Sequence, residues 1–180
     1  MEGIVAKRYA LSLFDVAIEF NIQDEILSDI KAIKEIFLQN QDFFKIMTIP
    51  TITKGEKIKL LDNVFGDKIN LYVLNFLKIL VEKGRINHFN EIVTSFNKIY
   101  NTKNNIKEVV AITAIPLNDN LLLKLKSKLE EITGKKIVLF NEVDKSIMGG
   151  VVLKMEDDQL DGSIKGRLNA LRTALSSQIA

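Results

Sequence analysis

The sequence predicts an α+β protein, with an all-α six-helix bundle over residues 1–105 followed by a small β-α-β-β-α domain over residues 106–180. Three observations lead there. Apolar residues recur at the helical period through the first part of the chain. At "NTKNNIKEVVAITAIP" a polar run gives way to a β-branched stretch, and the helical period stops. Pro50, Gly66, Gly84, Pro116 and Gly134 punctuate the junctions between periodic segments.

The elements follow in order. Val5, Ala6, Tyr9, Ala10, Leu13, Phe14 and Ala17 form the apolar stripe of the first helix. After a turn at Asn21 to Asp24, Ile26, Ile30, Ile33 and Phe37 mark the second. A short third helix covers Asp42 to Met47 and is broken by Pro50. Thr53 is the expected N-cap of the fourth, which carries Ile58, Leu61, Val64 and Phe65 and ends at Gly66. Ile69, Tyr72, Val73, Phe76, Leu77 and Leu80 make the fifth, closed by Gly84. Phe89, Ile92, Val93, Phe96, Ile99 and Tyr100 make the sixth. Lys107 to Ile115 then reads as a strand, stopped by Pro116. Asn118 caps a helix bearing Leu121, Leu122, Leu125, Leu129 and Ile132, with Gly134 at its end. "KKIVLFNEV" and "IMGGVVLKM" read as a hairpin around Asp144-Lys145-Ser146, and a last helix aligns Ile164, Leu168, Leu171 and Leu175.

Composition narrows the function classes. The chain is 47% hydrophobic and 27% charged, with 25 basic and 23 acidic residues, ordinary values for a soluble globular protein. Neither half carries the basic stripe of a nucleic-acid binder. There is no cysteine and His88 is the only histidine, so disulfides, thiol chemistry and His/Cys zinc sites are excluded. The opening "MEGIVAKRYALSLF" carries early charges and does not read as a signal peptide. Uninterrupted apolar runs are only a few residues long, so no membrane insertion is expected and the chain reads as intracellular.

The stretch "VDKSIMGGVVLKMEDDQLDGSIKGRL" invites a search for a ligand loop. Asp157, Gln159, Asp161 and Gly162 fall at positions 1, 3, 5 and 6 of a calcium loop, but position 12 is Leu168 instead of a bidentate carboxylate. "TGKK" is no phosphate loop, since Leu129 replaces its first glycine and Lys136 its hydroxyl residue. The scaffold reading explains every residue. Gly149 and Gly150 sit inside an apolar strand where glycine permits a bulge, "EDDQ" is an exposed turn, and Asp161 or Ser163 caps the last helix. His88 reads as a surface histidine near a helix start, with Glu91 three residues on and no serine placed as a nucleophile. Lys124, Lys126 and Lys128 scatter around a helix and are followed by Glu130 and Glu131. No catalytic residue, cofactor site or metal site is expected.

Surplus apolar surface is more informative. A helix packed on one side needs one stripe, yet the first helix adds Leu11, Val16 and Ile18, and the fifth adds Leu71, Leu74 and Ile79. Such helices are either central or share a second face with an amphipathic partner helix.

Three stretches carry a family resemblance: "VAKRYALSLFDVAIE", "VEKGRINHFNEIVTSF" and "VDKSIMGGVVLKMEDDQLDGSIKGRLNALRTAL". The chain resembles the delta subunit of bacterial F-type ATP synthase, the family of the mitochondrial oligomycin-sensitivity-conferring protein. The resemblance implies a non-catalytic stator subunit of the peripheral stalk, one copy per complex, at the cytoplasmic face of the inner membrane. It implies that the helical domain grips N-terminal helices of the alpha subunits, and that the C-terminal domain binds the b subunits. The family's groove for alpha lies between the first and fifth helices, which assigns Tyr9, Ala10, Leu13, Phe14 and Ala17 with Phe76, Leu77 and Leu80 to lining or supporting it. Gly149, Gly150, Asp161, Gly162 and Ser163 are then expected to hold the shape of the b-binding domain. An RNA-associated helical module with an α+β appendage is the alternative, and it predicts salt-dependent RNA binding.

Overall fold

The computed structural model describes residues 2–155 and 158–168, and the chain divides into two units between Asn101 and Thr102. This boundary falls four residues before the one expected at Asn105. Helical structure persists to Lys103, and the chain turns at Asn105, whose φ is 54°.

The first unit holds α1 (Glu2–Glu19), α2 (Gln23–Gln39), α3 (Gln41–Thr48), α4 (Lys54–Phe65), α5 (Leu71–Glu82) and α6, Phe89–Lys103. A single 3₁₀ turn, Ile86–His88, precedes α6. Local chemistry explains the ends. Thr53 and Glu56 form a reciprocal capping box, with Thr53 N–H donating to Glu56 Oε2 at 3.0 Å and Glu56 N–H to Thr53 Oγ1 at 3.3 Å. At the end of α5, Gly84 adopts φ 64° while Arg85 N–H donates to the Leu80 carbonyl and Gly84 N–H to that of Val81. This is a Schellman ending, and the left-handed residue it needs is why glycine sits there.

One core fills this unit. α1 contributes Ala6, Ala10, Leu13, Phe14 and Ala17, and its three alanines leave room for close approach of neighbouring helices. Phe14 meets Phe96 of α6 edge-on at 5.4 Å, and Phe37 of α2 touches Phe43, Phe44 and Phe89. Each such pair adds about 0.5–1.5 kcal/mol beyond area burial. His88 lies within this packing at 8% exposure, not on the surface as its sequence neighbours suggested. The 3₁₀ turn directs it inward, where Nδ1 sits 3.4 Å from Glu91 Oε2.

The second unit holds β1 (Ile106–Thr113), α7 (Asp119–Thr133), β2 (Lys136–Val143), β3 (Val151–Met155) and β4 (Asp158–Asp161), in the sheet order β2-β1-β3-β4. The expected hairpin is absent. β2 pairs parallel with β1, and β3 pairs antiparallel with β1 from the other side. α7 is the crossover that parallel pairing requires. It packs Leu125 and Leu129 over Val109, Ile137 and Met155, while Leu121 and Ile132 point outward. Glu156 and Asp157 of the expected turn in "EDDQ" lie outside the described residues, and Asp158 and Gln159 open β4, a fourth strand antiparallel to β3. Its four residues are all exposed, so no apolar alternation betrayed it. A helix opens at Ile164; Leu171 and Leu175 lie outside the described residues.

Candidate functional site

The surplus apolar surface of α1 and α5 resolves into core, seam and outer face. Of the eight residues assigned to the groove, Ala10, Leu13, Phe14, Ala17, Leu77 and Leu80 are 0–4% exposed and belong to the core. Phe76 is buried as well, at 7%, and only Tyr9 is partly exposed; the two meet edge-on at 6.3 Å at the boundary between α1 and α5. A second aromatic pair, Phe20 stacked on Tyr72 at 4.6 Å, joins the end of α1 to the first turn of α5. Periodicity extends each side. Val5, Tyr9, Ser12, Val16 and Phe20 follow one line of α1, and Tyr72, Phe76 and Ile79 follow one line of α5. Val5, Tyr9, Val16 and Tyr72 are half-buried, and Phe20 and Ile79 are exposed at 49% and 45%.

Of the surplus residues named from sequence, Leu74 is buried, Val16 and Ile79 lie along the seam, and Leu11, Ile18 and Leu71 are exposed elsewhere. Phe20 and Tyr72 were missed as seam residues. Phe20 continues the Val5–Tyr9–Val16 line by one turn, and that was the signal available.

One end of the seam is fixed by hydrogen bonds. Asn70 caps α5 by accepting from Tyr72 N–H at 2.9 Å, and its own N–H and side-chain amide donate to Asp29 and Glu25 of α2. Tyr72 is thereby placed beneath Phe20. Ser12, the polar residue midway along the α1 line, donates its hydroxyl to the Arg8 carbonyl at 3.1 Å, which leaves the seam surface largely apolar. No metal-binding group of three acidic, histidine or cysteine residues occurs among the described residues. The arrangement leaves an apolar strip along the two helices.

The second cluster singled out from sequence does come together. Gly149 and Gly150 precede β3 instead of lying inside it, where the apolar pattern had put them. A Cβ on Gly150 would lie 2.5 Å from the Gly162 carbonyl oxygen, and one on Gly162 would lie 2.9 Å from that of Val151. Gly150 also needs φ 83°, so the close approach and the backbone angle both demand glycine. Gly162 N–H donates to the Val151 carbonyl and Ile164 N–H to that of Gly149. Asp161 Oδ1 accepts from Ser163 N–H at 2.9 Å, and buried Ser163 caps the new helix by accepting from Gly166 N–H at 2.9 Å. The hydrogen bonds from Ser163 hold the Asp161 carboxyl below its ordinary value. These contacts are structural. Asp157 of the calcium-like spacing lies outside the described residues.

Comparison with known proteins converges. The family model described as ATP synthase delta (OSCP) subunit matches residues 5–175. A protein named ATP synthase subunit delta from Alkaliphilus metalliredigens is 39% identical over 97% of both chains. Its namesake from Clostridioides difficile is 33% identical over the whole of both. Among solved structures, a chain in the Toxoplasma gondii mitochondrial ATP synthase hexamer matches with a TM-score of 0.76 at 20% identity, over 94% of this chain and 96% of that one.

Proposed function

The chain belongs to the ATP synthase delta (OSCP) subunit family, and from that premise we propose that it acts as a non-catalytic mechanical link in the stator. Its helical unit holds the catalytic hexamer through N-terminal helices of alpha subunits, and its sheet-containing unit holds the b subunits of the peripheral stalk. It works at the cytoplasmic face of the membrane without entering it, one copy per complex. No helix among the described residues is long and apolar enough to cross a membrane.

The observation that carries this reading is the α1/α5 seam, a partly exposed apolar strip that includes two aromatic pairs. A stator link must resist rotor torque, so it needs slow dissociation. Fully burying a Leu or Phe contributes about 1.5–3 kcal/mol, and nanomolar binding requires about 12 kcal/mol net of association costs. Several anchors along one helix reach that range. The RNA alternative finds no basic patch on α7, where Lys126 and Lys128 pair with Glu130 and Glu131 of the same helix.

The test separates seam from core. Val16→Asp and Ile79→Asp are expected to keep the helical circular dichroism and unfolding midpoint while losing most binding to an alpha N-terminal peptide in calorimetry. Leu13→Asp and Leu77→Asp, at core positions, are expected to unfold the helical unit. Unchanged peptide binding by both seam variants refutes the assignment.

A further inference from the structure

α1 carries a third apolar line that neither the core nor the seam uses. Ile4, Leu11 and Ile18 are spaced seven residues apart, which puts them on one side of the helix with a drift of only about 20° per step. They are 67%, 42% and 47% exposed, and Tyr9 and Phe20, which contact α5, lie on a different side of α1. Beside the line stand Arg8 and Asp15, both exposed and neither in an ion pair among the described residues.

The pattern is self-complementary. Turned about a two-fold axis through Leu11, an antiparallel copy sets Ile4 against Ile18, Leu11 against Leu11, and Ile18 against Ile4. In antiparallel pairing each flank meets the same flank of the partner helix, so Arg8 of one copy faces Asp15 of the other, twice. A parallel pair sets no such charges opposite one another. We propose that this line pairs antiparallel with the same line of a second copy, so that the free chain forms a weak, reversible two-fold dimer. The association concerns the free protein and goes beyond the assembly role above. Contact restricted to one helix per copy falls below the roughly 1,200 Å² that stable complexes bury, so exchange is fast and salt weakens it.

Sedimentation velocity on the full chain, from about 10 µM to 1 mM, reads the result directly. The wild type is expected to move from monomer toward dimer across that range. Leu11→Lys sets two ammonium groups face to face at the axis and should remain monomeric with an unchanged thermal midpoint. Arg8→Asp should weaken the dimer by about tenfold, and the double reversal Arg8→Asp with Asp15→Arg should restore it. A wild type that stays monomeric throughout overturns the proposal, as does a double reversal that fails to restore association. A monomeric wild type whose Leu11→Lys variant loses the alpha peptide also overturns it, and gives the line to a partner helix instead. The first two outcomes leave the seam untouched, and Val16→Asp tests it separately.

Discussion

Single residues decide how tightly the helical unit closes. Lys57 is only 7% exposed, and its ammonium donates to the Ile49 carbonyl at 2.7 Å, at the C-terminal end of α3. Lys54 does the same for α5, reaching the Glu82 carbonyl at 2.7 Å. Both place positive charge at the negative end of a helix dipole. Lys57→Met keeps the stem and deletes the charge, and should cost about 1.5–3 kcal/mol in urea unfolding. Carboxylates set the acid limit. Asp161 and Asp144 are held below their ordinary pKa by hydrogen bonds from Ser163 and Ser146. A depressed carboxylate contributes stability that is present above its unfolded-state pKa and is lost as pH falls through the folded value. The unfolding midpoint should therefore drop on acidification below about pH 4, and Asp161→Asn should flatten that drop in thermal scans.

At the scale of elements, glycines with left-handed φ do different work. Nothing lies within 4 Å of where a Cβ would stand on Gly84, so Gly84→Ala carries only the cost of its φ of 64°. About 1–2 kcal/mol is expected, and Gly84→Asn should cost less, since asparagine tolerates that region. At Gly150 a methyl group meets the Gly162 carbonyl oxygen at 2.5 Å as well. Gly150→Ala should cost more than Gly84→Ala, and its effect should appear as lost hydrogen-exchange protection in β3 and β4. Equal costs at the two positions would remove the backbone-contact argument.

For the whole molecule, the cores are separate. The helical cluster draws on residues from Ala6 to Tyr100, and the two sheet clusters draw on residues from Val109 to Met155. A fragment of residues 1–105 should fold alone, unfold cooperatively, and bind the alpha peptide with the affinity of the full chain. Chemical denaturation followed by circular dichroism, with calorimetry on the same fragment, checks both parts.

Periodicity, caps and breakers were enough to place the six α-helices, the Thr53 and Asn118 caps and the glycine ends at Gly84 and Gly134, because those signals act within a few residues. The family was legible in three stretches for the same reason. Pairing between strands was not. "KKIVLFNEV" and "IMGGVVLKM" read as strands, but whether they pair with each other or flank β1 depends on contacts between distant residues. β4 carries no apolar face to announce itself. The helical stripe of α1 likewise could not separate core from seam, since Leu13 and Tyr9 are equally apolar by pattern. Only tertiary packing against α1, which includes Phe76 of α5 and Phe96 of α6, decided it, by burying Leu13 and leaving Tyr9 partly in water.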